Sequence, residues 1–380
     1  MSSSASPPPA RAVARPSIIH PVVDFLCVGG LSLIVFVPML LSGRTDLVFI
    51  GAGAQAFLAT AINMPHFMAS YRLIYRSRET IMKHKWASIY IPAILLAYSA
   101  IALWETQTSR ALFAILIAVS SAYLAWHYTG QVWGMMASYA YLGGVRFEAV
   151  ERTLIRTGLR ILLAWHVTWF LYTQLMSPDK IRPVYLLVSA GTAIAFVLGA
   201  IGIARMWRRT GKLPPLHALV AWLAIFSWYA VLARDPKALF WVQIAHAIQY
   251  LAFPFRVELN RTQTGSRSAV AHMVAYVGAL LLASYLMGQV VPAGAMSVVG
   301  NMFGEEPGKA APIIILMIIN IHHYFTDGVI WKLSNPEVRQ ELFAHVPKPQ
   351  KAPASPDAAK PPSDRTPALQ APRGGQRARR

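Results

Sequence analysis

Six histidines stand inside otherwise apolar runs of this chain, and they are the residues with the means to do chemistry. His66 lies in NMPHFMASY, His127 in YLAWHYTGQVWG, His166 in LLAWHVTWF and His246 in VQIAHAIQY, while His322 and His323 share IINIHHYFTDG. Neutral imidazole is the commonest metal ligand and suits iron, copper, zinc and nickel. Polar partners recur one helical turn away: Gln131 after His127, Gln249 and Tyr250 after His246, and Asp327 after His323. Residues three or four apart share a helix face, so Gln131, Gln249 and Asp327 could orient a ligand ring or act on a bound water. Asn63 and Asn320 stand in similar positions. His322 and His323 are adjacent and therefore ~100° apart on a helix. Both could ligate only at an off-centre site or with two metals.

The elements that must position these rings are membrane helices. Hydrophobic residues make up 55% of the chain and charged ones 13%, with a mean hydropathy of +0.43. That charged fraction is about half the usual one for a soluble protein. Ten apolar runs follow one another: 22–42, 47–71, 86–104, 111–135, 158–176, 183–204, 216–233, 238–255, 269–291 and 311–331. Each approaches the ~20 residues that cross a ~30 Å hydrocarbon core as a helix. Their continuity favours helices over alternating strands, and lipid requires backbone groups to be paired internally. The expected fold is all-α, a polytopic transmembrane bundle of about ten helices filling residues 19–345. Residues 1–18 and the Pro/Ala-rich basic tail 346–380 lack apolar periodicity and are expected to be disordered. No cleavable signal is expected, since the first apolar run is too long and lacks a cleavage pattern.

The net charge is +19, but its distribution speaks for topology rather than for nucleic acid. Connections 72–85, 142–157, 205–215 and 256–268 hold 15 Lys and Arg, whereas the alternate set, including 292–310, holds 7. This bias places the richer side and both termini in the cytoplasm of a bacterial-type inner membrane. Helical rise then puts His66, His166, His246 and His322 roughly 8–15 Å below that face, and His127 level with them if its helix projects. His166, flanked by Trp165 and Trp169, fits an interhelical contact. The candidate metal ligands are therefore His66, His127, His246, His322 and His323.

Several chemistries have no motif here: no phosphate-binding glycine loop, no G-x-S-x-G elbow, no C-x-x-C-H and no H-E-x-x-H. The lone Cys27 cannot form a disulfide within the chain. Glu305 and Glu306 are expected to be solvated in the outward loop 292–310. The intramembrane histidines His66, His127, His246 and His322/His323 resemble those of integral-membrane non-haem iron oxygenases. These include the desaturase/hydroxylase group and the retinal-forming carotene dioxygenase type. The desaturase pattern uses H-x-x-H-H boxes, and only one HH pair occurs here, inside a helix. The resemblance implies non-haem iron, O2, a hydrophobic substrate arriving through the bilayer, and an electron donor. Two other classes remain open: a transporter or proton relay built on the same histidines, and a haem-binding electron-transfer bundle.

Overall fold

A computed structural model describes residues 17–44, 50–262, 268–332 and 335–346. The chain divides into two units, Met1–His345 and Val346–Arg380. Of the second, only Val346 is described, so the expectation for the tail lies outside the described residues. So does most of the N-terminal segment, but Ser17 and Ile18 are placed. The Ile18 side chain is buried, and its backbone N–H donates to Asp24 Oδ2 at 2.6 Å.

Among the described residues every regular element is helical. Twelve helices follow in order: α1 Pro21–Ser42, α2 52–74, α3 Arg78–Lys83, α4 Trp86–Glu105, α5 Ala111–Leu142 and α6 149–175. Then come α7 Pro178–Thr210, α8 Leu216–Arg234, α9 Pro236–Thr262, α10 Ala269–Phe303, α11 Glu305–Ile330 and α12 Pro336–Leu342. Ten are long, and each holds one of the ten apolar runs. Eight of them (α1, α4, α5 and α7–α11) are long and apolar enough to cross a membrane. The other two, α2 and α6, are diluted by polar residues. α2 carries Asn63, His66, Ser70 and Arg72, and α6 carries Glu151, Arg152, Arg156 and Arg160.

The molecule is apolar outside as well as inside. Leu41, Phe57, Leu187, Val270 and Val274 are exposed on four helices, a surface that lipid solvates and water does not. Some of the polar groups that remain inside are paired. At one end of α9, Glu258 is nearly fully buried and binds Arg72 of α2 at 3.1 Å, Arg261 at 2.8 Å and His272 of α10 at 3.0 Å. Removing one partner of such a buried cluster leaves an uncompensated charge. Outside the bundle, α12 is tied to the 72–85 connection by Arg76–Glu341 and Lys83–Glu337 pairs. The Lys83 ammonium holds the Glu337 carboxyl below its ordinary range.

The loop expected at 292–310 is helix instead. α10 runs through Phe303, turns at Gly304 (φ 100°) and doubles back as α11. A Cβ on Gly308 would stand 2.7 Å from Gly300 Cα, so the two helices meet backbone to backbone. Such close approach between small residues is a usual contact for helices in lipid, where apolar burial supplies little drive. Glu305 and Glu306 are exposed as expected, and both pair with Lys309. α6 and α7 approach as closely, with a Cβ on Gly158 falling 2.5 Å from the Ala195 carbonyl oxygen. Gly158→Val should therefore destabilise the protein by about 1–3 kcal/mol through overpacking. Gly278→Val, whose Cβ meets nothing within 4 Å, should not. Thermal unfolding in detergent measures the difference, and equal midpoints would contradict it.

Candidate metal centre

Four of the five histidines expected as ligands converge. His66 on α2, His127 on α5, His246 on α9 and His323 on α11 each bring one ring nitrogen to a common place, and these atoms all lie within 4.8 Å of one another. The rings form a closed circuit of edge contacts. Centroids are 4.7 Å apart for His66–His323, 4.8 Å for His323–His127, 4.8 Å for His127–His246 and 5.3 Å for His246–His66. Every pair is steeply inclined, between 74° and 90°.

The nitrogens themselves argue for an ion. His66 Nε2, both nitrogens of His246 and His323 Nδ1 are buried with no hydrogen-bond partner, and His323 Nε2 meets His127 Nε2 and Asp327 Oδ2, each at 3.3 Å. Each unsatisfied buried polar group costs about 1–3 kcal/mol, and four in one spot is far from ordinary. A metal–imidazole bond of about 2.1 Å places opposite ligands about 4.2 Å apart. The observed span of 4.8 Å needs only a few tenths of an ångström of movement from each ring. The donor set therefore fits a single transition-metal ion.

Local sequence explains how each ring is aimed. In α2 a π-turn, Ala59–Asn63, is followed by Pro65, and His66 Nδ1 is hydrogen-bonded to the Asn63 carbonyl oxygen. That bond makes Nδ1 the donor and leaves the Nε2 lone pair for the cluster. π-turns of this kind collect at functional sites. His127 stacks on Tyr324 of α11 at 4.7 Å, and His246 lies 4.4 Å from the Tyr128 ring.

Asp327 joins the group as expected. Its Oδ2 lies 3.3 Å from His323 Nε2 and 3.7 Å from His127 Nε2. Its Oδ1 is held from behind, accepting from Ser70 Oγ at 2.7 Å and from Tyr250 OH at 3.0 Å, and Trp331 Nε1 donates to that tyrosine oxygen at 2.7 Å. Ser70 and Trp331 were not singled out from the sequence. Ser70 stands four residues after His66, so helical spacing would have found it, as it found Tyr250 four residues after His246.

His322 is not brought to the group. Its Nε2 donates to the Ala87 carbonyl at 2.8 Å, and its ring stacks on Tyr71 at 4.9 Å. The ~100° step between adjacent helical residues turns it to the opposite neighbour. Gln131 and Gln249 also depart from expectation, because neither touches a ring nitrogen. Gln131 Nε2 donates to Gln249 Oε1 at 2.8 Å and to the His246 carbonyl at 3.2 Å. Gln249 Nε2 donates at 2.7 Å to the Val28 carbonyl of α1, beside a helix break where Gly29 takes φ 141°. The pair stitches α5, α9 and α1 together. Asn320 is spent within α11, on Leu316 and Tyr324. His166 lies apart, among Tyr128, Trp169 and Tyr229, and both its ring nitrogens are buried without a hydrogen-bond partner, so it packs between helices without the hydrogen bond expected of such a contact.

The site is walled by packed side chains except at one edge. A cavity of ≈ 360 Å³ reaches His127 and Asp327 from the direction of Arg156 and Lys332. Compared with protein-family models, curated protein sequences and solved structures, the chain shows no match.

The Ser70–Tyr250–Asp327 bonds couple α2, α9 and α11. Ser70→Ala and Tyr250→Phe should each cost about 1–3 kcal/mol by unsatisfying a buried carboxylate oxygen. The double variant should depart from additivity by at least about 0.5 kcal/mol. Unfolding of the four proteins in one detergent supplies the cycle, and strict additivity would show that the three groups do not act together.

Proposed function

We propose that the protein is a multi-pass membrane metalloenzyme in which His66, His127, His246 and His323 bind one iron ion and support O2-dependent oxidation of a hydrophobic substrate. The observation that carries this is the convergence of four imidazoles from four helices, three of which hold buried ring nitrogens without a partner. Among the described residues no cysteine joins the cluster, and one carboxylate stands beside the rings, a nitrogen–oxygen set of the type that suits non-haem iron. Ferrous iron held by such ligands with positions left open supplies O2 activation.

The chain's own residues define the rest. Ser70 and Tyr250 fix Asp327 by one oxygen, so that the other faces His127 and His323 and can ligate or take a proton from a bound water. The apolar wall limits reaction with bulk water. The cavity along α5 admits a substrate to one side of the site only, at the His127–Asp327 edge. The ten long helices are read as ten spans, with both termini and the basic connections in the cytoplasm of a bacterial-type inner membrane. An electron donor would approach from that face. The resemblance to membrane-bound iron oxygenases supports the same class, with helix-borne histidines in place of H-x-x-H-H boxes.

Metal analysis of detergent-purified protein tests the site. Wild type and His322→Gln should carry one iron per chain, whereas His127→Ala and His246→Ala should lose at least nine-tenths of it. Equal metal in all four removes the proposal. The redox claim is checked separately: iron-loaded wild type should consume O2 only when an apolar substrate is supplied in detergent, and His246→Ala should not. A loaded protein that never turns over O2 would instead favour the histidine relay of a transporter.

A further inference from the structure

The cavity that meets the metal centre has a shape and a charge pattern of its own. From His127 it follows α5 past Gln131 and Met135 to Ser138, a length of about 16 Å by helical rise. Three glycines line it: Gly130 and Gly134, one turn apart on α5, and Gly328 on α11. A Cβ at any of the three would meet nothing within 4 Å, unlike Gly158, Gly199, Gly202 and Gly308, which sit where helices press together. A helical glycine costs about 1 kcal/mol relative to alanine, so these three give up stability with no close contact in return. What they provide is open space. Trp126 and Trp133 stand along the same wall, and Trp126 and Gly130 are exposed, so the channel opens toward lipid along α5. Arg156 and Lys332 line the channel too and are exposed, and among the described residues neither side chain makes an ion pair or a hydrogen bond.

We propose that this channel binds a long-chain carboxylate, its head group held by Arg156 and Lys332 and its chain laid over Gly130 and Gly134 toward His127 and Asp327. Charge complementarity selects an acid head, since among the described residues the channel is lined by two unpaired cations and one carboxylate, Asp327, whose Oδ1 is already taken by Ser70 and Tyr250. The volume of ≈ 360 Å³ lies near the bottom of the about 300–1,000 Å³ range of small-ligand sites, which suits one chain and not a diacyl lipid. A head group pinned by these cations would present one part of the chain to the His127–Asp327 edge. Only this last consequence rests on the proposed metal chemistry; the binding does not.

The test uses the purified full chain in neutral detergent, with a fluorescent fatty acid displaced by palmitate, by hexadecanol or by phosphatidylglycerol. Palmitate should displace the probe at a concentration at least tenfold lower than the other two. Arg156→Gln combined with Lys332→Gln should erase that preference and leave hexadecanol unchanged. Gly134→Leu should abolish displaceable binding, and Gly278→Leu should not. Hexadecanol or phosphatidylglycerol matching palmitate, or Gly134→Leu binding as wild type does, would overturn the proposal. Iron is measured on the same samples. Palmitate binding by protein that holds no metal removes the metal reading alone, whereas a full complement of iron without selective palmitate binding removes this one alone.

Discussion

Burial without partners is the constraint on which this structure turns. Four imidazoles sit in a medium that offers no water, and their nitrogens find too few protein atoms to bond. Such a cluster is expensive in lipid-buried protein, and the bundle around it is built to keep it in place rather than to relieve it. Each ring is held by its surroundings: His66 by the Asn63 carbonyl of its own helix, His127 by Tyr324 of α11, His246 by Tyr128 of α5 and His323 by its neighbours in the circuit. An ion satisfying all four at once converts that cost into binding energy, which links metal affinity to the stability of the fold.

The supporting polar groups fall into two kinds. One kind faces the rings: Asp327, with Ser70, Tyr250 and Trp331 behind it. The other kind faces backbone, as Gln131 and Gln249 do, and holds α1, α5 and α9 in register. Both matter to the centre, because a ligand from each of four helices is only as well placed as the helices themselves. The first kind would act at the edge of the proposed metal, and the second sets the frame.

Much of this was legible in the residues, and what was not has physical causes. Hydropathy locates the ten long helices because lipid imposes one length and one composition on whatever crosses it. Helical rise then ranks residues by depth, which is why His66, His127, His246 and His323 could be grouped. Depth alone carries no rotation. His322 lies at the same level as His323 yet bonds Ala87, and the glutamines lie a turn from their histidines yet point to carbonyls. Azimuth depends on which helices are neighbours, and the apolar pattern of a membrane helix says little about that, since both lipid and protein neighbours favour the same residues. The loop expected at 292–310 failed for a related reason: VPAGAMSVVGNMF is weakly apolar and rich in small residues, which suits close helix packing as well as it suits a turn.

The π-turn before His66 bears on how such a site could arise. Inserting one residue into a helix leaves the upstream face where it was and swings everything downstream through ~100°. In α2 the residues past Ala59–Asn63 include His66 and Ser70, and both look inward, toward the circuit and Asp327. A single-residue insertion in an ordinary lipid-facing helix is thus enough to turn a ring and its supporting hydroxyl into the bundle in one step. By the same arithmetic, deleting one residue from that turn would rotate the two away together.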